Sequence, residues 1–285
     1  MENKKATTPD HTAIRTALWR ALHSEVDASP AVLVDQVGLQ LVAPERTWRE
    51  RPDMHPQGTR GYRASIVGRA RWIEDLVEEE LRKGVRQYVI LGAGLDTFAQ
   101  RRPELMTQLK VFEIDKPDTQ AWKQRRLTEL GFDLAKNLHF VPVDFEAGES
   151  WWDKLADAGF NRAEAAVVVS TGVAMYLTKE ANVSTLRQLA GLAAGSTFAM
   201  TFLLPLELLD PAERPMHERV FARAREAGTP FLSFFRPEEI VSLAQSAGFR
   251  EAKHIGGEDI RQRYFAGRSD GLAPAAGEDF LIAKT

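Results

Sequence analysis

Apolar residues along this chain follow two different periods, and the change from one to the other falls at Gly84. Before it the spacing is helical. Ile14, Ala17, Leu18 and Ala21 predict a helix from Thr12 to about Leu22, and Val34, Val37, Gly38 and Leu41 predict another over 31–41. Ile66, Ala70, Ile73, Val77 and Leu81 form one apolar stripe on a helix from Ser65 to Lys83. Arg82 and Lys83 supply cations to its last turn, and Gly84 is the residue that stops it. Residues 43–62, rich in Pro, Arg, Asp and Gly, read as an irregular loop or broken helix.

After Gly84 the apolar runs shorten to strand length and alternate with helical segments. Gln87–Leu91, Lys110–Ile114, His139–Val143, Ala165–Val169 and Ser196–Leu204 read as five strands. Between or after them, Trp122–Leu130, Trp151–Ala158, Lys179–Leu192 and Pro237–Ala247 have helical composition. Apolar strands that alternate with helices predict a parallel sheet covered on both faces. Arg250–Ile255 and Asp279–Ala283 read as two further strands with no helix between them, an antiparallel pair at the sheet edge. The fold class is therefore α/β, doubly wound. Residues 1–11 read as a flexible tail, 12–84 as an N-terminal helical segment and 85–285 as the core. An insertion at 205–235, with three prolines and a basic helical stretch over Met216–Ala227, joins the N-terminal helices as a cap over the carboxyl edge of the sheet.

Composition narrows the chemistry. The 285 residues contain no cysteine, which removes disulfides, thiolate metal sites and cysteine nucleophiles together. The net charge of −3 offers no overall attraction to nucleic acid or to anionic membranes. The first ten residues lack a signal-peptide core, and no apolar run approaches the ~20 residues of a membrane helix. A cytoplasmic protein without nucleic-acid or membrane partners is the expectation. His11, His23, His55, His139, His217 and His254 are scattered, with no H-x-x-x-H pair, so no metal site is expected. The sequence does not indicate an oligomeric state.

In open α/β sheets, ligands bind beyond the carboxyl ends of the strands. The first strand is followed by Gly92-Ala93-Gly94-Leu95-Asp96-Thr97, whose glycines let the backbone turn sharply and approach a ligand. A dinucleotide fingerprint calls for a third glycine or alanine where Thr97 stands, so the loop favours an adenosyl ligand over a pyrophosphate. The second strand ends in Asp115, an acceptor suited to ribose hydroxyls, and the third in Asp144-Phe145, an acid and a ring suited to an adenine. The fourth ends in Ser170-Thr171-Gly172, followed by Tyr176, where the reacting end of the ligand would lie. Tyr176 reads equally as a substrate contact and as a core residue, and His217 in the insertion is a second residue that can face substrate. An NAD(P)-dependent oxidoreductase shares the first two strand-end signals. A non-catalytic binder shares them all.

These motifs together resemble the leucine carboxyl methyltransferase family, in its bacterial S-adenosylmethionine-dependent branch. The match lies in Val85–Thr97, Val111–Asp115, Phe140–Phe145 and Gly172–Leu177, in order and spacing, with Phe231–Phe235 and Arg263–Arg268 resembling its C-terminal part. The resemblance implies a class I methyltransferase, Rossmann-like fold of seven strands with the last antiparallel. It implies S-adenosyl-L-methionine as cofactor and an O-methyltransferase acting on a small-molecule acceptor, with a carboxylate favoured and secondary metabolism as the setting. It also implies an arginine before the first strand that pairs with the methionine carboxylate, for which Arg69 is preferred to Arg71. The cofactor set is then Arg69, Gly92, Ala93, Gly94, Asp96, Asp115, Asp144, Phe145, Ser170 and Thr171, with Tyr176 and His217 as catalytic candidates. Eukaryotic carboxyl methyltransferases carry a glutamate after the fourth strand, where this chain has Ser170-Thr171.

Overall fold

The computed structural model describes residues 9–144 and 149–285. Three helices come first: α1 (His11–Val26), α2 (Gln36–Val42) and α3 (Arg60–Arg82). The core follows as β1 (Gln87–Leu91), α4 (Phe98–Arg101), α5 (Pro103–Met106), β2 (Lys110–Asp115), α6 (Pro117–Glu129), β3 (Leu138–Pro142), α7 (Trp151–Asp157) and β4 (Ala166–Ser170). The chain then runs through α8 (Lys179–Leu189), β5 (Thr197–Leu203), α9 (Arg214–Glu226), α10 (Pro237–Ala247), β6 (Glu251–Ile255), α11 (Gly257–Phe265) and β7 (Glu278–Lys284).

The seven strands lie in the order β3-β2-β1-β4-β5-β7-β6. The first five are parallel; β7 runs antiparallel between β5 and β6. The doubly wound seven-stranded class expected from the strand pattern is the fold observed. Side chains of each strand alternate between two cores, as the pleat requires. Tyr88 and Ile90 of β1 join Val111, Val167, Val169 and Phe280 against Val67, Trp72, Ile73 and Val77 of α3. Val89 and Leu91 join Phe112, Ile114, Val168 and Phe198 on the opposite face, covered by α7, α8 and α10.

The structure departs from the sequence reading in several places. A helix, α11, stands between the last two strands, where none is expected. Only Ile260 and Phe265 of this helix are buried, too few to write a clear period. They pack onto α3 at Gly68, where an added Cβ would lie 2.9 Å from Ile260 Cγ2 and 3.0 Å from the Phe265 ring. Helix α3 also begins five residues earlier than predicted, at Arg60. Its first turns hold Arg63, 1 % exposed, which breaks the apolar stripe but is paired with Asp27 through Nη2 at 2.7 Å. Residues 43–62 contain two short 3₁₀ turns, Trp48–Glu50 and Pro52–Met54, before α3 begins. Of the expected tail, residues 1–8 lie outside the described residues. Asp10 caps α1, accepting from the Thr12 N–H at 2.7 Å, and His11 is already helical.

Candidate cofactor and acceptor site

The strand order reverses between β1 and β4, so their carboxyl ends part and leave a crevice. The loop after β1 forms one wall. Gly92 and Gly94 have φ of +70° and +50°, the left-handed region that glycine enters without steric cost. The N–H groups of Gly92 and Ala93 donate to the Ile114 carbonyl at 2.9 and 3.1 Å, which ties the loop to β2. The Gly94 N–H donates to Asp115 Oδ2 at 2.6 Å, and the Lys116 N–H to Oδ1 at 2.7 Å. Burial nevertheless raises the Asp115 carboxyl above the usual carboxylate range, against these two donors and the Lys123 and Lys116 charges. Asp96 accepts from the Phe98 N–H at 2.7 Å and so holds the start of α4.

Around this loop lies a cavity of about 560 Å³, within the size range of small-molecule sites. Of the residues singled out from sequence, Arg69, Gly92, Ala93, Gly94, Asp96, Asp115, Thr171 and Tyr176 line it. Thr12, Ala13 and Thr16 of α1, Ile66 and Ile73 of α3, and Gly228, Thr229, Pro230 and Leu232 after α9 line it as well. Residues of α1, of α3 and of the 205–235 segment therefore border the same cavity. Arg69 reaches in from α3 with Nη1 donating to Glu278 Oε1 at 2.7 Å. Its other nitrogen lies over Gly172, where an added Cβ would stand 2.8 Å from Nη2. Arg71 is half exposed and paired with Asp75 at 2.8 Å, outside the cavity lining. Tyr176 is pushed above its ordinary value by burial, which outweighs the Thr12 hydrogen bond and the Arg15 and Arg69 charges. Its phenol is therefore protonated at neutral pH.

Three expected residues among those described are not brought to this lining. Ser170 is the last residue of β4 and is buried. Asp144 is half-buried beyond β3, its N–H donating to Glu149 Oε2 at 2.8 Å. Phe145 lies outside the described residues. His217 is buried on α9 against Gly277 and Leu209, with its Nε2 unpartnered. Burial lowers its pKa, so its imidazole is neutral. His254, a weaker base candidate, sits on β6 with Nε2 2.7 Å from Asp279 Oδ2. Among the described residues no group of three His, Cys, Asp or Glu side chains is arranged to hold a metal ion, and no helix is long and apolar enough to cross a membrane.

Periodicity misses the polar network behind the glycine loop. Arg20 of α1 donates to the Leu95 carbonyl at 2.7 Å and to Asp35 Oδ2 at 2.6 Å. Asp35 is fully buried and caps α2 through the Gly38 N–H at 2.9 Å. Arg101 of α4 bonds Glu74 of α3 at 2.6 Å, and Arg20, Glu74 and Arg101 all line the cavity. Glu113, two residues before Asp115, is fully buried with the Lys123 ammonium against it, and burial lifts its carboxyl to about 7. No local acid–base alternation in the sequence flags these pairs, because the partners are ten or more positions apart.

The fold is that of the class I methyltransferases. The chain belongs to the leucine carboxyl methyltransferase family, whose sequence pattern matches residues 13–190. YktD of Bacillus subtilis, named as a candidate S-adenosyl-L-methionine-dependent methyltransferase, is 35% identical over 208 residues, 73% of this chain and 68% of that protein. A protein of Mycolicibacterium gilvum with the same description is 31% identical over 210 residues, 70% of this chain and 67% of its own length. A crystal structure from Thermobifida fusca, of another methyltransferase candidate, shares the fold with a TM-score of 0.60 at 16% identity, over 98% of this chain and 95% of that one. The class is S-adenosylmethionine-dependent, and the oxidoreductase alternative falls away.

Proposed function

We propose that this chain is an S-adenosylmethionine-dependent O-methyltransferase whose acceptor is a small molecule with a carboxylate as the methylated group, in secondary metabolism. The observation that carries the reading is convergence. The Gly92–Gly94 loop, Asp115, Arg69 and Thr171 come from four separate stretches of sequence and line one cavity.

The donor set fits the cofactor. Asp115 would hold the ribose hydroxyls, a pairing worth about 1.5–3 kcal/mol for a charged acceptor. Arg69 would hold the methionine carboxylate, with Glu278 fixing its guanidinium and Gly172 leaving space beside it. Asp144 and Phe145 are assigned to the adenine, and Ser170 to supporting Thr171 from behind. When bound, the cofactor supplies a methyl group on a sulfonium that departs as a neutral thioether. The chain's own contribution is to align the acceptor with that methyl and to exclude water, which the lining from α1, α3 and residues 228–230 and 232 serves. Tyr176 can donate a hydrogen bond to an acceptor oxygen. A carboxylate is already ionised at neutral pH and needs no base, consistent with a cavity into which neither His217 nor His254 faces.

Calorimetric titration with S-adenosylmethionine, S-adenosylhomocysteine and NAD tests the cofactor. Saturable binding of the first two alone is expected, and binding of NAD alone would overturn the reading. Transfer of labelled methyl to a panel of organic acids tests the chemistry. A methyl ester releases its label as volatile methanol in mild base; label that resists base would mean an ether, and the carboxylate assignment would fail.

A further inference from the structure

We propose that the acceptor carries an apolar arm of several carbons beside its carboxylate, and that Leu232 selects for this arm at the mouth of the cavity. The role of the acceptor rests on the methyl-transfer reading above. The apolar arm is argued from the placement of one exposed leucine.

Among the described residues, Val26, Val34, Leu130, Leu134, Leu208 and Leu232 are the large apolar side chains left exposed. Single exposed apolar residues are normal on a folded surface. Leu232 differs from the other five because it alone lines the cavity, while remaining 52 % exposed. A side chain that borders both the cavity and the solvent stands at the mouth. Val173, Tyr176 and Pro230 line the same cavity. Covering Leu232 removes apolar surface from water, which is favourable in proportion to the area covered. A wholly polar acceptor leaves that surface wet.

The leucine is held in place by its neighbours. Its N–H donates to the Met175 carbonyl at 2.7 Å, next to Tyr176. Ser233 is buried, and its hydroxyl donates to the Ala174 carbonyl at 2.8 Å. Asn182 of α8, also buried, donates to that carbonyl at 3.0 Å and to Ser233 Oγ at 3.1 Å. Phe231 sets its ring 5.5 Å from that of Tyr176. Residues 231–233 are thus tied to the turn that carries Tyr176, and an arm laid against Leu232 meets a segment already ordered. Charge in the cavity is matched elsewhere. Arg69 pairs with Glu278 at 2.7 Å, Arg20 with Asp35 at 2.6 Å and Arg101 with Glu74 at 2.6 Å. These arginines already have carboxylate partners, so selectivity at the mouth falls to apolar contact.

Sodium octanoate and sodium butanoate are the probes, titrated calorimetrically into the full chain with and without S-adenosylhomocysteine. Octanoate is expected to bind at least about tenfold more tightly than butanoate, since burying two methylene groups suffices for that factor. Leu232→Ser is expected to remove most of the preference and Leu232→Met to keep it. The side chain is exposed and its backbone bond does not depend on it. Both variants are therefore expected to match the parent in circular dichroism and in affinity for S-adenosylhomocysteine. Binding of neither acid, equal binding of the two, or an unchanged preference in Leu232→Ser overturns the proposal. So does a parent that shows no preference and self-associates on sedimentation while Leu232→Ser does not, because the leucine is then a contact between copies. Binding of S-adenosylhomocysteine without a preference between the acids removes the apolar subsite alone. A preference that depends on Leu232, in a chain that does not bind S-adenosylhomocysteine, keeps the subsite and removes the methyl-transfer reading.

Discussion

At the scale of single residues, Asp115 carries the sharpest expectations. Its two oxygens accept from the Gly94 and Lys116 N–H groups, so the carboxylate both shapes the loop and faces the cavity. Asp115→Ala is expected to weaken S-adenosylhomocysteine binding by about 10- to 150-fold, the equivalent of one charged hydrogen-bonding group. Unchanged affinity by calorimetry would remove Asp115 from the site. Its raised pKa sets the sign of the pH dependence. The ionised form is the acceptor, so affinity is expected to fall as pH drops through that raised value, from a plateau above it. Asp115→Asn is expected to bind weakly with little change over the same range, and a parent titration that is flat in mildly acid solution would contradict the assignment. The acid at the end of β2 was legible in sequence. Its elevated pKa was not, because desolvation depends on what the fold packs around it.

At the scale of elements, the loop between β1 and α4 distinguishes its two glycines. Gly92 has φ +70°, and an added Cβ would lie 2.4 Å from Val173 Cγ2, from the segment after β4. Gly94 has φ +50°, and its nearest contact would be Ala13 Cβ at an ordinary 3.5 Å. Gly92→Ala therefore meets both a left-handed backbone cost of about 1–2 kcal/mol and a collision, whereas Gly94→Ala meets only the first. Chemical denaturation is expected to rank Gly92→Ala as the more destabilised, with Val173→Ala in the same chain recovering the difference between them. Equal midpoints for the two single variants would mean the loops after β1 and β4 do not touch as described. Sequence placed both glycines in the turn but could not rank them. The ranking comes from a neighbour some eighty positions away.

At the scale of the whole molecule, the N-terminal helices are bound to the core by charge as well as by apolar packing. Arg20 reaches the Leu95 carbonyl in the glycine loop and the buried Asp35 at the start of α2. Arg101 stands 3.7 Å from the same carboxylate and binds Glu74 of α3. Arg20→Met leaves Asp35 with only this longer contact and its own helix cap, and breaking a buried pair from one side costs about 3–5 kcal/mol. A lowered melting temperature together with weaker S-adenosylhomocysteine binding is expected, since the same side chain braces the loop. A variant that melts lower yet binds the cofactor product unchanged would separate the helices from the site. The low pKa of Asp35, held by the Arg20 and Arg101 charges against burial, gives this network its own pH signature. Its contribution to stability is present above the unfolded carboxyl value and is lost as pH falls through the folded one.

What the sequence determined by itself is whatever repeats locally. The period-two apolar runs specified five parallel strands and the antiparallel pair, and the polar or glycine residues that end them specified where a ligand lies. Those signals are short-range, because a strand's pleat and a turn's φ are set by a few neighbouring residues. The tertiary structure alone decided which strand-end residues share one cavity. It brought Arg69, Thr171 and Tyr176 to the glycine loop, left Ser170 and His217 out of the lining, and added Arg20, Glu74 and Arg101. It also decided the helix α11, whose two buried side chains find their partner only across Gly68 of α3. Such pairings join positions far apart in the chain, and their free energy resides in burial and charge compensation that exist only once the layers have packed.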